Sequence, residues 1–293
     1  MNEVYKRPET QEEPKIITLE KSFEDGRKSE ISYCPELGGT ITSIKINGVE
    51  ILRGDPNSLK GEKKRGGIPI MFPNAGPLKE MLEGATEILE QHGPVNKSDE
   101  WENKTDENGN ELIEELEGEK SASYPYEQYL LRIISEIEED GSVLLTQEVQ
   151  NNSDKEMPIS MGFHPYFAVP KGEKNNVEID FGGNEKVNSK IRENYKACLG
   201  GETIMIDRSE LEDSEGNWDV KIKIPGNDTI ILDVSKEYEN IWIWSMESEE
   251  TDEDDFICVE PVLRGPGGLT DNPEIVEPHE NFTGTVKFGM AKE

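Results

Sequence analysis

The chain has 293 residues, of which 63 are acidic and 31 basic, for a formal charge of −32. A field of that sign repels phosphodiester backbones and anionic bilayer surfaces, so no nucleic acid and no membrane partner is expected. Hydrophobic residues make up 33% of the chain, enough for a core if most of them point inward.

The opening stretch, MNEVYKRPETQEEPKI, has no apolar segment of the kind that marks a secretion signal. No later stretch approaches the ~20 apolar residues needed to span a membrane. Residues 1–13 read as an N-terminal tail and 14–293 as a single domain. Cys34, Cys198 and Cys258 are odd in number and far apart, which suits a reducing compartment and predicts a cytoplasmic protein.

In chain order, short stretches with strand character recur at 15–19, 40–46, 143–149, 219–224, 229–234, 241–244, 256–260 and 285–290. In DVKIKI, Val220, Ile222 and Ile224 fall on one face and the lysines on the other, the period-two mark of a half-buried strand. Turn formers separate the runs: NG at 47–48, EDG at 139–141 and PGND at 225–228. Only 78–91 suggests a helix. The acidic stretches 99–120 and 247–255 read as surface hairpins or loops, outside the core. The pattern predicts an all-β fold, a sandwich or a barrel.

No phosphate-binding glycine loop, Ser-centred elbow or closely spaced Cys/His zinc set occurs. The DENGNE stretch at 106–111 puts its glycine fourth, where a calcium loop of the helix–loop–helix kind needs it sixth. None of these motifs supplies a metal or cofactor site. Three residues stand out instead. His92 sits in a glycine–proline turn, His164 lies among the rings of GFHPYF, and Glu260 closes the apolar run FICVE just before Pro261. Each alone also reads as an ordinary structural residue, whereas His279, in VEPHENF, reads as surface. Together, two imidazoles and a carboxylate permit acid–base chemistry near neutral pH, or a 2-His-1-carboxylate metal site. Some seventy residues separate the histidines, which weakens the metal reading.

Five segments, ELGGTITSIKINGVEIL, RGGIPIMFPNAGPL, QHGPVNKSDEWE, GFHPYFAV and ICVEPVLRGPGGL, follow one another in an order and spacing that resemble the aldose 1-epimerase (galactose mutarotase-like) family. The resemblance covers nearly the whole chain, from about residue 14 to 290, and implies a large single-domain β-sandwich. It implies Glu260 as the base on the anomeric hydroxyl, His164 as the acid on the ring oxygen, and His92 as a group that holds and polarises the sugar. Arg65, Asp207, Asn74 and Asn96 complete the implied substrate-binding set, on a small-molecule sugar and with no cofactor. The acid and base are expected on opposite sides of one sugar, in a monomer or homodimer. Where the family usually reads H-G-F-A-R, this chain has His92-Gly93-Pro94-Val95-Asn96, so an arginine that contacts sugar or phosphate is missing. The implied activity is anomer interconversion of a hexose. The alternatives are a hexose-6-phosphate 1-epimerase and a non-catalytic carbohydrate-binding module, which would keep Arg65 and the rings without needing His164 and Glu260 together.

Overall fold

The structure is a computed structural model that describes residues 14–54, 65–78, 80–82, 88–106, 109–118, 125–211, 216–247 and 255–291. Strict alternation builds most strands. Along Lys28–Cys34, for example, Ser29, Ile31 and Tyr33 turn inward while Lys28, Glu30 and Ser32 face out. The eight strands expected from the sequence are all present. Thr40–Ile46 and Thr229–Val234 coincide with their expected limits, and the others shift or extend by a few residues.

The largest sheet has eight antiparallel strands, ordered Glu178–Phe181, Trp218–Lys223, Thr229–Val234, Asn281–Ala291, Val143–Asn151, Tyr129–Ile137, Glu111–Glu117 and Glu102–Thr105. A six-stranded sheet runs Ile204–Asp207, Asn240–Trp244, Asp255–Val262, Gly162–Phe163 and Ile70–Met71, with Tyr166–Val169 also paired to Asp255–Val262. The two pack face to face, as the Phe167–Phe288 ring contact at 6.3 Å shows. One buried cluster joins residues of both sheets with Ile31, Tyr33, Ile41 and Ile44 of a further four-stranded sheet, Ile17–Ser22, Lys28–Cys34, Thr40–Ile46 and Val49–Glu50. This is the expected all-β sandwich.

Four expectations need correction. A fifteen-residue helix, α1 (Glu185–Leu199), covers part of the six-stranded sheet, with Asn184 capping it through Val187 N at 3.2 Å. The acidic stretch at 99–120 does form a hairpin, Glu102–Thr105 with Glu111–Glu117, but its inner face belongs to the core through Trp101, Leu112 and Leu116. Even Glu114 turns inward, and burial holds its carboxyl well above the usual range. Of the helix expected at 78–91, residues 79 and 83–87 lie outside the described residues, and the described remainder is not helical. Pro261 does not stop its strand, which continues to Val262. The neighbouring chain is itself interrupted at His164 and Pro165, so a proline is accommodated there in the middle of a sheet.

Candidate active site

All eight residues of Asp255–Val262 are buried, and they alternate between two environments. Ile257 and Val259 join the main core, while Phe256, Cys258 and Val262 belong to separate clusters on the opposite face, the face that Glu260 shares by alternation. Cross-strand pairing sets rows on that second face. Trp244 and Tyr166 flank Cys258, Trp242 flanks Glu260, and Asn240 and Gly162 flank Val262. The pairs Gly162–Val262 and Tyr166–Cys258 share one register. Continued through the interruption, that register sets His164 opposite Glu260.

The side chains meet accordingly. His164 Nδ1 lies 3.6 Å from Glu260 Oε1, with the two side chains 7% and 5% exposed. Tyr166 stacks on the imidazole at 4.6 Å with an interplanar angle of 4°, and its hydroxyl lies 3.4 Å from His164 Nε2. Trp244 stands edge-on to His164 at 6.1 Å, and Phe256 packs against both Tyr166 and Trp244. The ring-lined setting expected for His164 is therefore present. His164 and Glu260, expected on opposite sides of one sugar, are instead direct neighbours.

His92 arrives from a loop, and its ring meets His164 edge to face at 5.2 Å. Its backbone φ is +68°, and Gly93 follows at +69°. The turn is held by His92 N donating to Ala75 O and by Phe72 N donating to His92 O. A side chain at Gly93 would collide with the Phe72 carbonyl, so this glycine is required where the loop crosses the strand end.

Burial dominates the electrostatics. It lifts the Glu260 carboxyl to about 8 and lowers the His92 imidazole to about 4. Burial, then the charge of His92, pushes His164 well below the usual histidine range. Both shifts favour the same state at neutral pH, a protonated Glu260 carboxyl beside a neutral His164 imidazole. Moving that one proton from the carboxyl to the imidazole would leave a carboxylate base beside an imidazolium acid.

The remaining expected residues are placed differently. Arg65 lies near the site: its carbonyl accepts from Arg53 Nη1, and its charge acts on the Tyr166 hydroxyl. Asn74 is buried, and its amide donates to the carbonyls of Gly76 and Glu90, so it braces the loop that carries His92. Asn96 is half-buried in the short turn Val95–Lys97. Asp207 is exposed at the outer edge of the sheet, where its carboxylate accepts from Ser209 N and Oγ. The structure therefore unites His92, His164 and Glu260 and leaves Asp207 capping a turn.

Trp242 and Trp244 were not singled out as site residues. Period-two alternation in NIWIW, with Ile241 and Ile243 in the core, was the available signal for the two tryptophans. Trp242 Nε1 is buried without a hydrogen-bond partner among the described residues. Beyond Phe256, buried Lys174 pairs with Asp255 at 3.3 Å and donates to Met246 O. Hollows of about 380 and 230 Å³ elsewhere include none of these groups, so chemistry and not volume marks the site.

Comparison with known proteins supplies the relationship. The family model described as aldose 1-epimerase matches residues 22–286. Among solved structures, the Slr1438 protein from Synechocystis sp. PCC 6803 is 22% identical with a TM-score of 0.72, over 99% of this chain and 100% of that one. A galactose mutarotase-like protein from Clostridium acetobutylicum is 18% identical with a TM-score of 0.67, covering 96% and 99%. A galactose mutarotase related enzyme from Lactobacillus acidophilus is 16% identical with a TM-score of 0.66, covering 93% and 97%. No curated protein matches the chain.

Proposed function

This chain belongs to the aldose 1-epimerase family, and on that premise we propose that it interconverts the α and β anomers of a hexose by acid–base ring opening and reclosure. The observation that carries this reading is the buried His164–Glu260 pair at 3.6 Å, set against the rings of Tyr166 and Trp244. Once the proton has moved from the Glu260 carboxyl to His164, the carboxylate takes the proton of the anomeric hydroxyl while the imidazolium gives one to the ring oxygen. The bond between the anomeric carbon and the ring oxygen breaks, and a free aldehyde forms. Rotation of the aldehyde presents its other face, and the proton transfers run backwards to close the ring. His92, neutral at working pH, hydrogen-bonds the sugar near the ring oxygen. Trp244 and Tyr166 cover an apolar sugar face and exclude water. A module that only binds sugar has no use for a carboxyl and an imidazole so costly to bury together.

The single proton that this mechanism needs on the pair fixes a pH dependence. With two protons the base is lost; with none the acid is lost. The kcat/KM for anomerisation is expected to be flat near neutrality and to fall about tenfold per pH unit above about 8, as the pair loses its last proton. A rate that instead climbs through pH 8 would show that ionised Glu260 works without the imidazolium.

The preferred substrate is an unphosphorylated aldose. Asn96 is neutral where the family arginine would stand, exposed Lys97 is paired with Glu90, and the net charge of −32 opposes a dianion. The basic residues Lys60, Lys63 and Lys64 lie outside the described residues. Losing one charge-assisted contact costs ~1.5–3 kcal/mol. The kcat/KM for glucose or galactose is therefore expected to exceed that for glucose 6-phosphate at fixed, moderate salt. A tenfold preference for the phosphate would overturn this assignment.

A further inference from the structure

We propose that Cys258, His164 and Glu260 form a site for a zinc-like divalent cation that overlaps the proposed catalytic centre. One ligand atom from each residue lies within 4.8 Å of the other two. The three are 0%, 5% and 4% exposed, so the donors meet where they are shielded from water. His164 Nδ1 is fully buried, has no hydrogen-bond partner among the described residues, and lies beside the Glu260 carboxyl. A lone pair so placed is what a metal needs.

The donor types select the ion. Thiolate, imidazole and carboxylate together suit zinc and its first-row neighbours, whereas magnesium and calcium prefer all-oxygen shells. Zinc bonds of ~2.0–2.3 Å hold their ligands less than ~4 Å apart. Modest side-chain rotation closes the present spacing to that value. Thiolate and carboxylate balance a divalent charge, so the occupied pocket is neutral, and the cation takes the place of the two protons these groups release. The charge of −32 concentrates divalent cations around the molecule.

Occupancy ties up the imidazole and carboxyl that move protons, so the cation inhibits; that consequence alone rests on the proposed function. The test of the site needs no sugar. Protein stripped with EDTA and desalted is titrated with cobalt(II), and the near-ultraviolet thiolate-to-cobalt charge-transfer band is followed. The wild type is expected to develop the band at one equivalent. Cys258→Ala and Cys258→Ser, checked for an unchanged melting profile, are expected to lack it. In anomerisation assays the same variants are expected to stay active and to need at least ~100-fold more zinc for half-inhibition, above the ~10–100-fold that losing an outer-shell partner costs. Absence of the band in the wild type, or an undiminished band in both variants, would overturn the site whatever the activity proves to be.

Discussion

Replacing Glu260 with glutamine is expected to slow anomer interconversion at least ~10²-fold while sugar affinity changes only severalfold. Glutamine has the shape of the protonated acid and still hydrogen-bonds, but it cannot accept a proton from the anomeric hydroxyl. Because burial already favours the neutral carboxyl, the neutral amide disturbs the packing little. His164→Asn is expected to lose a similar factor by removing the acid, and the double variant little more, since the two act as one unit. Tryptophan fluorescence offers a binding readout apart from turnover, because Trp244 stands edge-on to His164 and Trp242 pairs across from Glu260. If both single variants turn over as fast as the parent, the acid–base assignment fails.

The second large effect is structural and reaches the site through the backbone. Alanine at Gly93 would place its Cβ 1.8 Å from the Phe72 oxygen and 2.5 Å from the Phe72 carbonyl carbon. It would also force a left-handed φ of +69° on a residue with a side chain. Together the strain and the clash are expected to cost about 2–5 kcal/mol, lowering the melting temperature by roughly 2–4 °C per kcal/mol in a chain of this size. His92 would move with the loop, so activity should fall as well. Gly183→Ala is the control. Its φ is +77°, but nothing lies within 4 Å of the added methyl, so only the strain of about 1–2 kcal/mol remains. Equal melting temperatures for the two variants would contradict this account of the loop.

Much of the fold was legible because its strands obey alternation, as DVKIKI and TIILDV do. Helix α1 was not, because only Val187, Ile191, Tyr195 and Cys198 mark its inner stripe among charged residues. The cap at Asn184 and the glycines after Leu199 were its remaining signals. Glu114 shows the opposite failure: a glutamate in an acidic run was expected outside, yet the strand's pleat turns it inward. At the site, residue types and order pointed to His92, His164 and Glu260. Their juxtaposition was not visible. It depends on a register that crosses a broken strand, and proline at 165 and 261 hides that register in the sequence. Asp207 misled because a carboxylate on a mid-chain strand can equally cap the turn that follows it.

The most direct test of the central claim is two-dimensional exchange NMR of equilibrated glucose and galactose at neutral pH, with catalytic amounts of the protein. Cross-peaks between α and β anomeric protons are expected to grow with wild-type protein far faster than in buffer, and to return close to the buffer rate with Glu260→Gln. Exchange at the buffer rate for every aldose tried, from a protein that is folded and binds sugar, would contradict the claim and leave a sugar-binding module in its place.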